Sequence, residues 1–136
     1  MNRDLLTADL ERDEGLRLKV YKCTSGKNTV GIGRNLDDLG ITKAEAYMLL
    51  GGDIDRISAE LDKALPWWRS LSEPRQRALA NLTFNLGIAR LLGFPKMLAA
   101  LKSGDYAEAA RQLLDSRYAT QVGSRAHRVA SLIEKG

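Results

Sequence analysis

Glu14, Cys23 and Thr29 are the residues of this chain whose types and spacing suggest chemistry. Glu14 stands in the run Asp13-Glu14-Gly15-Leu16-Arg17-Leu18, at the seam between a helical pattern and a glycine. A carboxyl group at a helix C-terminus meets the negative end of the macrodipole, which favours its protonated form, and partial burial acts in the same direction. A carboxylic acid held protonated near neutral pH can protonate a leaving oxygen, which is what glycosidic bond cleavage needs. Thr29 carries a hydroxyl that donates and accepts, so it can hold a water. Cys23 has three readings: a small buried hydrophobe, a reactive thiol, or a stand-in for a carboxylate. Arg17, Lys19 and Lys22 would favour its thiolate if they point at it. Each residue also has a plainer alternative. Glu14 alone reads as a solvated charge beside Glu11, Arg12 and Asp13, and Thr29 alone as an ordinary strand threonine. No histidine neighbours Cys23 in sequence, which argues against cysteine–histidine chemistry. His127 reads as an exposed helix residue.

The elements that position these residues are legible from periodicity. Residues 4–14 read as a helix, with Leu6 and Leu10 on one face and Gly15 as the stop. From Leu16 apolar residues alternate, and a turn composition at Thr24-Ser25-Gly26-Lys27-Asn28 predicts a β-hairpin of about 17–23 and 29–33. If Leu18, Val20, Val30 and Ile32 face the core, then Tyr21, Cys23, Thr29 and Gly31 share the other face. Glycines at 31 and 33 would leave that face open to a ligand. Thr42-Lys43-Ala44-Glu45 is a capping box that opens a helix. Its stripe of Leu50, Ile54, Ile57, Leu61 and Leu65 runs to Pro66, and Gly51-Gly52 predicts a bend or a split. Further helices are expected at about 73–86, 94–103, 107–115 and 124–134. Their start signals are Ser72 with Pro74, Pro95, Asp105 with Glu108, and Ser124. The expected fold class is α+β and mostly helical: a helical bundle carrying one small hairpin near the N-terminus.

Composition bounds the partners. A chain of 136 residues fits one domain with its own core, and 44% apolar residues argue against disorder. No apolar run approaches the ~20 residues of a membrane-spanning helix, so no stable membrane insertion is expected. Charges at Arg3, Asp4, Asp9, Glu11 and Arg12 argue against a secretory segment, and the expected site of synthesis is the cytoplasm. A single cysteine fits a reducing compartment. With only Cys23 and His127 as soft ligands, neither a metal nor another cofactor is expected. The net charge of +4 points to an anionic partner. Nucleic acid, a membrane surface and a cell-wall polymer all satisfy it.

The combination changes the weight of the parts. Glu14, then Cys23 after eight residues, then Thr29 after five, resembles the Glu–Asp/Cys–Thr triad of the phage T4-type lysozymes, a family of endolysins. Asp13 to Tyr21 and then Thr29-Val30-Gly31-Ile32-Gly33 are similar to that family's N-terminal signature. Ile41-Thr42-Lys43-Ala44-Glu45-Ala46 resembles the start of its interlobe helix, and Asn81-Leu82-Thr83-Phe84-Asn85-Leu86-Gly87 its Phe-Asn-x-Gly segment. Ser116-Arg117-Tyr118 and Arg125-Ala126-His127-Arg128-Val129 resemble its C-terminal arginine segment. These blocks are colinear and cover nearly the whole chain.

The resemblance implies a single lysozyme-like catalytic domain over residues 1–136. Its small lobe is expected at about 15–50, and its helical lobe at about 66–136 together with the N-terminal helix, with a cleft between them. It implies hydrolysis of the β-1,4 bond between N-acetylmuramic acid and N-acetylglucosamine in bacterial peptidoglycan. By the same carry-over Glu14 is the general acid, Cys23 occupies the place of the second carboxylate, and Thr29 helps to place the attacking water. Arg125 matches the arginine that pairs with the catalytic glutamate. Asn35, Phe84, Asn85 and Gln121 fall at positions lining the sugar cleft. A monomer is implied, held in the host cytoplasm until a holin-type partner releases it to the wall. There are three departures. The segment from Arg34 to Ile41 is shorter than in longer members, Arg34 replaces a histidine, and Cys23 is not a carboxylate. Rival readings are a catalytically silent wall-binding module, a lytic transglycosylase, and a nucleic-acid-binding domain. The last lacks a basic stripe with interleaved aromatics.

Overall fold

The computed structural model describes residues 1–136. The chain divides into two compact units, Met1–Met48 and Leu49–Gly136. In the first, α1 spans Arg3–Glu14. Asn2 caps it, its Oδ1 accepting from the Leu5 N–H at 3.0 Å. Gly15 ends it at φ 78, a conformation that side chains with a Cβ resist, and its N–H donates to the Glu11 carbonyl at 2.9 Å. The strands β1 (Arg17–Lys22), β2 (Asn28–Gly31) and β3 (Arg34–Asn35) then form an antiparallel sheet in that order. The expected hairpin is therefore extended by a third strand. At two residues, β3 is too short to leave an alternation signal.

Tyr21 stands opposite Thr29, and Thr29 opposite Asn35. Directly opposed residues share a face, so these three form a row across the sheet. Burial corrects the expected core face. Leu18 and Val20 are 84% and 58% exposed, whereas Thr29 is 3% exposed. The connection from β3 to α2 covers only residues 36–42, too short to lay a further helix over the sheet.

The helix α2 runs from Lys43 to Ala64 and carries the chain from the first unit into the second. Its capping box is formed as predicted. The Glu45 N–H donates to Thr42 Oγ1 at 3.1 Å, and the Thr42 N–H donates to Glu45 Oε1 at 2.9 Å. The expected split at Gly51-Gly52 does not occur, because the helix is continuous through both. Backbone hydrogen bonds need no side chain, and each glycine costs the helix only ~1 kcal/mol. The apolar stripe is buried in its second half alone, at Ile57, Leu61 and Leu65, while Leu50 and Ile54 stay exposed.

The second unit continues with a 3₁₀ turn (Trp68–Ser70), α3 (Glu73–Leu86), α4 (Ile88–Leu91), α5 (Pro95–Ser103), α6 (Tyr106–Leu114), α7 (Arg117–Val122) and α8 (Ser124–Lys135). The four predicted helices are α3, α5, α6 and α8. The 3₁₀ turn, α4 and α7 are too short to show a period. The helix α8 packs on α3 and α6, and α5 packs on α6. Leu79, Leu82, Leu91, Leu113 and Ile133 are fully buried between them. Asp105 caps α6, as its composition predicts. Ser72 makes no cap bond to α3, and Ser124 is the first residue of α8 rather than its cap. Ser116, not singled out as a start signal, caps α7 by accepting from the Ala119 N–H at 3.2 Å.

Candidate active site

Glu14 is the last residue of α1, and its side chain is exposed. Its carboxylate lies against Gly33. A Cβ placed on Gly33 would fall 2.9 Å from Glu14 Oε2 and 3.1 Å from its Cδ. Gly33 also has φ 70, so a side chain there would be strained, and its Cβ would displace the Glu14 carboxylate. The open face expected at the two glycines is thus half right. Gly31 has free space, whereas Glu14 occupies the space at Gly33.

Cys23 follows the last residue of β1, in a turn closed by two backbone bonds. Its N–H donates to the Lys27 carbonyl at 3.0 Å, and the Gly26 N–H donates to the Cys23 carbonyl at 2.9 Å. The Cys23 Sγ lies 3.1 Å from Ser25 Oγ. The Ser25 hydroxyl is the main cause that pushes the thiol down to about 7. The Lys27 and Ser25 backbones act in the same direction. The causes are hydrogen bonds, not the cations of β1. Arg17 stacks on the Tyr21 ring instead, 4.6 Å from its centroid. Thr29 Oγ1 donates to the Lys27 carbonyl at 2.9 Å. Its proton is thereby committed, and its lone pairs are left to accept from a water.

The segment after Gly33 is held by charge. Arg34 Nη1 and Nη2 donate to Glu45 Oε1 and Oε2, each at 2.8 Å, and Nη1 also donates to the Gly40 carbonyl at 3.2 Å. The Arg34 guanidinium, followed by Thr42, holds the Glu45 carboxyl down to about 2. Asn35 lies beside Thr29 in the row across the sheet. Its Nδ2 donates to Asp38 Oδ2 and its Oδ1 accepts from the Asp38 N–H, both at 2.9 Å. Its amide therefore organises the turn after β3.

In the second unit, Phe84 and Asn85 are exposed near the end of α3, Gln121 is exposed near the end of α7, and Arg125 is half-buried in the first turn of α8. Phe84 and Arg125 line one hollow of about 400 Å³, with Leu50, Ile54, Arg77 and Asn81. Asn85 and Gln121 do not line it. The Arg125 Nε donates to Asn81 Oδ1 at 3.0 Å, across 44 residues of sequence. Asn81 is not among the cleft residues that the resemblance implies. Its signal was available, since Arg77, Asn81 and Phe84 fall on one helical face at spacings of four and three. No three His, Cys, Asp or Glu side chains converge as a metal ion would require. No helix is long and apolar enough to cross a membrane.

The sequence model of the phage lysozyme family matches residues 11–135. The chain belongs to that family. Probable T4-type lysozyme 2 of Dictyostelium discoideum is 32% identical to it, over 93% of the chain and 92% of the relative. An endolysin of Acyrthosiphon pisum secondary endosymbiont phage 1 is also 32% identical, over 85% of the chain and 80% of the relative. The pre-baseplate central spike protein Gp5 of Enterobacteria phage T4 is 32% identical over 93% of the chain, which spans only 27% of that much longer protein. The alignments with the spike protein and the Dictyostelium lysozyme run to 155 and 157 positions, more than the 136 residues of this family member. These relatives therefore carry residues that it lacks.

Proposed function

We propose that the protein is a muramidase, hydrolysing the β-1,4 bond between N-acetylmuramic acid and N-acetylglucosamine in peptidoglycan during lysis of a bacterial cell. The observation that carries this reading is the phage lysozyme match over residues 11–135, a span that includes Glu14, Cys23 and Thr29. Glu14 is the general acid. Its place at the end of α1, resting on Gly33 and otherwise open to solvent, supports a proton donor that a substrate can reach. Thr29 accepts from the attacking water, a role supported by the commitment of its own proton to the Lys27 carbonyl. Cys23 stands where other members carry a carboxylate, and a thiol that titrates near neutrality supplies negative charge there. Asn35, Phe84, Asn85, Gln121 and Arg125 bind the glycan. The protein acts as a monomer, waits in the host cytoplasm and reaches the wall through a holin-type release partner.

The test is the release of new reducing ends from purified peptidoglycan. Glu14→Gln is expected to lower the rate ~100-fold or more with an unchanged circular dichroism spectrum, the scale of a lost general acid. A folded Glu14→Gln variant that cleaves at the wild-type rate would remove Glu14 from the mechanism. Cys23→Asp is expected to stay active and Cys23→Ala to lose most activity; full activity in the alanine variant would reduce Cys23 to packing. Mass spectrometry of the products decides between the rivals. Anhydro ends indicate a lytic transglycosylase, and binding without new ends indicates a silent wall-binding module.

A further inference from the structure

We propose that Arg34 is a positioning residue for Glu14, acting through Glu45 to fix the Gly33 turn on which the acid rests. The proposal builds on the muramidase reading of Glu14. The turn from β2 to β3 is bracketed by Gly31 and Gly33, both at positive φ, a backbone with little steric definition of its own. The strand that follows has only two residues. The ladder with β2 covers only two residue pairs, so a further anchor adds to the definition of this turn.

The geometry supplies it one residue beyond Gly33. The two bonds from Arg34 to Glu45 are parallel and charge-assisted, and a planar fork on a carboxylate fixes orientation as well as distance. Glu45 is anchored in turn, because its Oε1 also accepts from the Thr42 N–H that opens α2. The third bond, to the Gly40 carbonyl, ties in the intervening loop. The floor beneath Glu14 is thereby bolted to the first turn of a helix of 22 residues. Both partners keep about a third of their side-chain surface exposed, at 37% and 36%, so the pair adds little to global stability. That separates the two roles. A positioning clamp changes turnover, whereas a stabilising bridge changes only melting.

The experiment compares wild type, Arg34→Gln, Arg34→Lys and Glu45→Gln on solubilised peptidoglycan. It reads kcat, KM, the melting temperature and the ¹³C resonance of the Glu14 carboxyl group. Arg34→Gln is expected to lower kcat roughly tenfold with KM within about twofold, the effect of a displacement of the acid smaller than the ~1 Å misplacement that can cost ~100-fold. Arg34→Lys should fall between, because an ammonium cannot form the two parallel bonds. Glu45→Gln should repeat the loss from the other side, and the Glu14 resonance should move in all three. The proposal is overturned if folded Arg34→Gln and Glu45→Gln keep wild-type kcat and an unmoved Glu14 resonance, or if lost activity merely follows a lowered melting temperature. If the wild-type protein releases no reducing ends, the muramidase reading fails. The Glu14 resonance then decides the positioning role by itself.

Discussion

Ser25, two residues along the turn from Cys23, sets the state of the one thiol in the chain. A hydroxyl 3.1 Å from the sulfur stabilises the thiolate, and the backbone around Lys27 adds to it. The sign follows directly. Hydrogen bonds to the anion lower the pH at which the proton leaves, so the thiolate fraction grows as pH rises through about 7. The rate of alkylation by iodoacetamide should follow that curve, and Ser25→Ala should move its midpoint upward. An unmoved midpoint in the Ser25→Ala variant would assign the shift to the backbone. The cations of β1 were the visible candidates in the sequence. Their direction was not visible: Arg17 stacks on the Tyr21 ring. Glu14 was legible as a helix-end carboxylate from its own neighbours, whereas its support on Gly33 was not.

At the scale of elements, long segments with caps declared themselves and short ones did not. Thr42 and Glu45 are three apart, so their reciprocal bonds are a local property that any chain with this tetrapeptide opening a helix can form. The strand β3 and the helices α4 and α7 are shorter than the periods that would reveal them. The glycine pair in α2 does not split the helix. A Cβ on Gly51 or Gly52 would meet nothing within 4 Å, and neither position needs a positive φ. Gly51→Ala and Gly52→Ala should therefore each stabilise the protein, by up to ~1 kcal/mol in urea denaturation, by removing the backbone entropy that glycine loses on forming a helix. If α2 were split at the pair, alanine there would give no gain.

For the molecule as a whole, the stability of the Leu49–Gly136 unit rests on the helical core formed by α2, α3 and the helices that follow. Leu82 is fully buried within α3. Leu82→Ala should cost ~2–5 kcal/mol by thermal or chemical denaturation, the usual range for a leucine cavity. Charge is divided by unit. Residues 1–48 carry equal numbers of basic and acidic side chains, so the net +4 resides in residues 49–136. The expectation of an anionic partner, which rested on net charge, therefore falls on that unit. The sequence by itself determined the helix that ends at Glu14, the capping box of α2, the main helices of the second unit and the order of Glu14, Cys23 and Thr29. Those features follow from neighbours a few residues apart, where periodicity and capping act. Tertiary structure decided that Glu14 rests on Gly33, that Arg34 clamps Glu45, that Arg125 meets Asn81, and that Leu50 stays exposed while Leu61 on the same stripe is buried. Each of these depends on how the chain reverses direction between elements, and the loops that set those reversals carry no period to read.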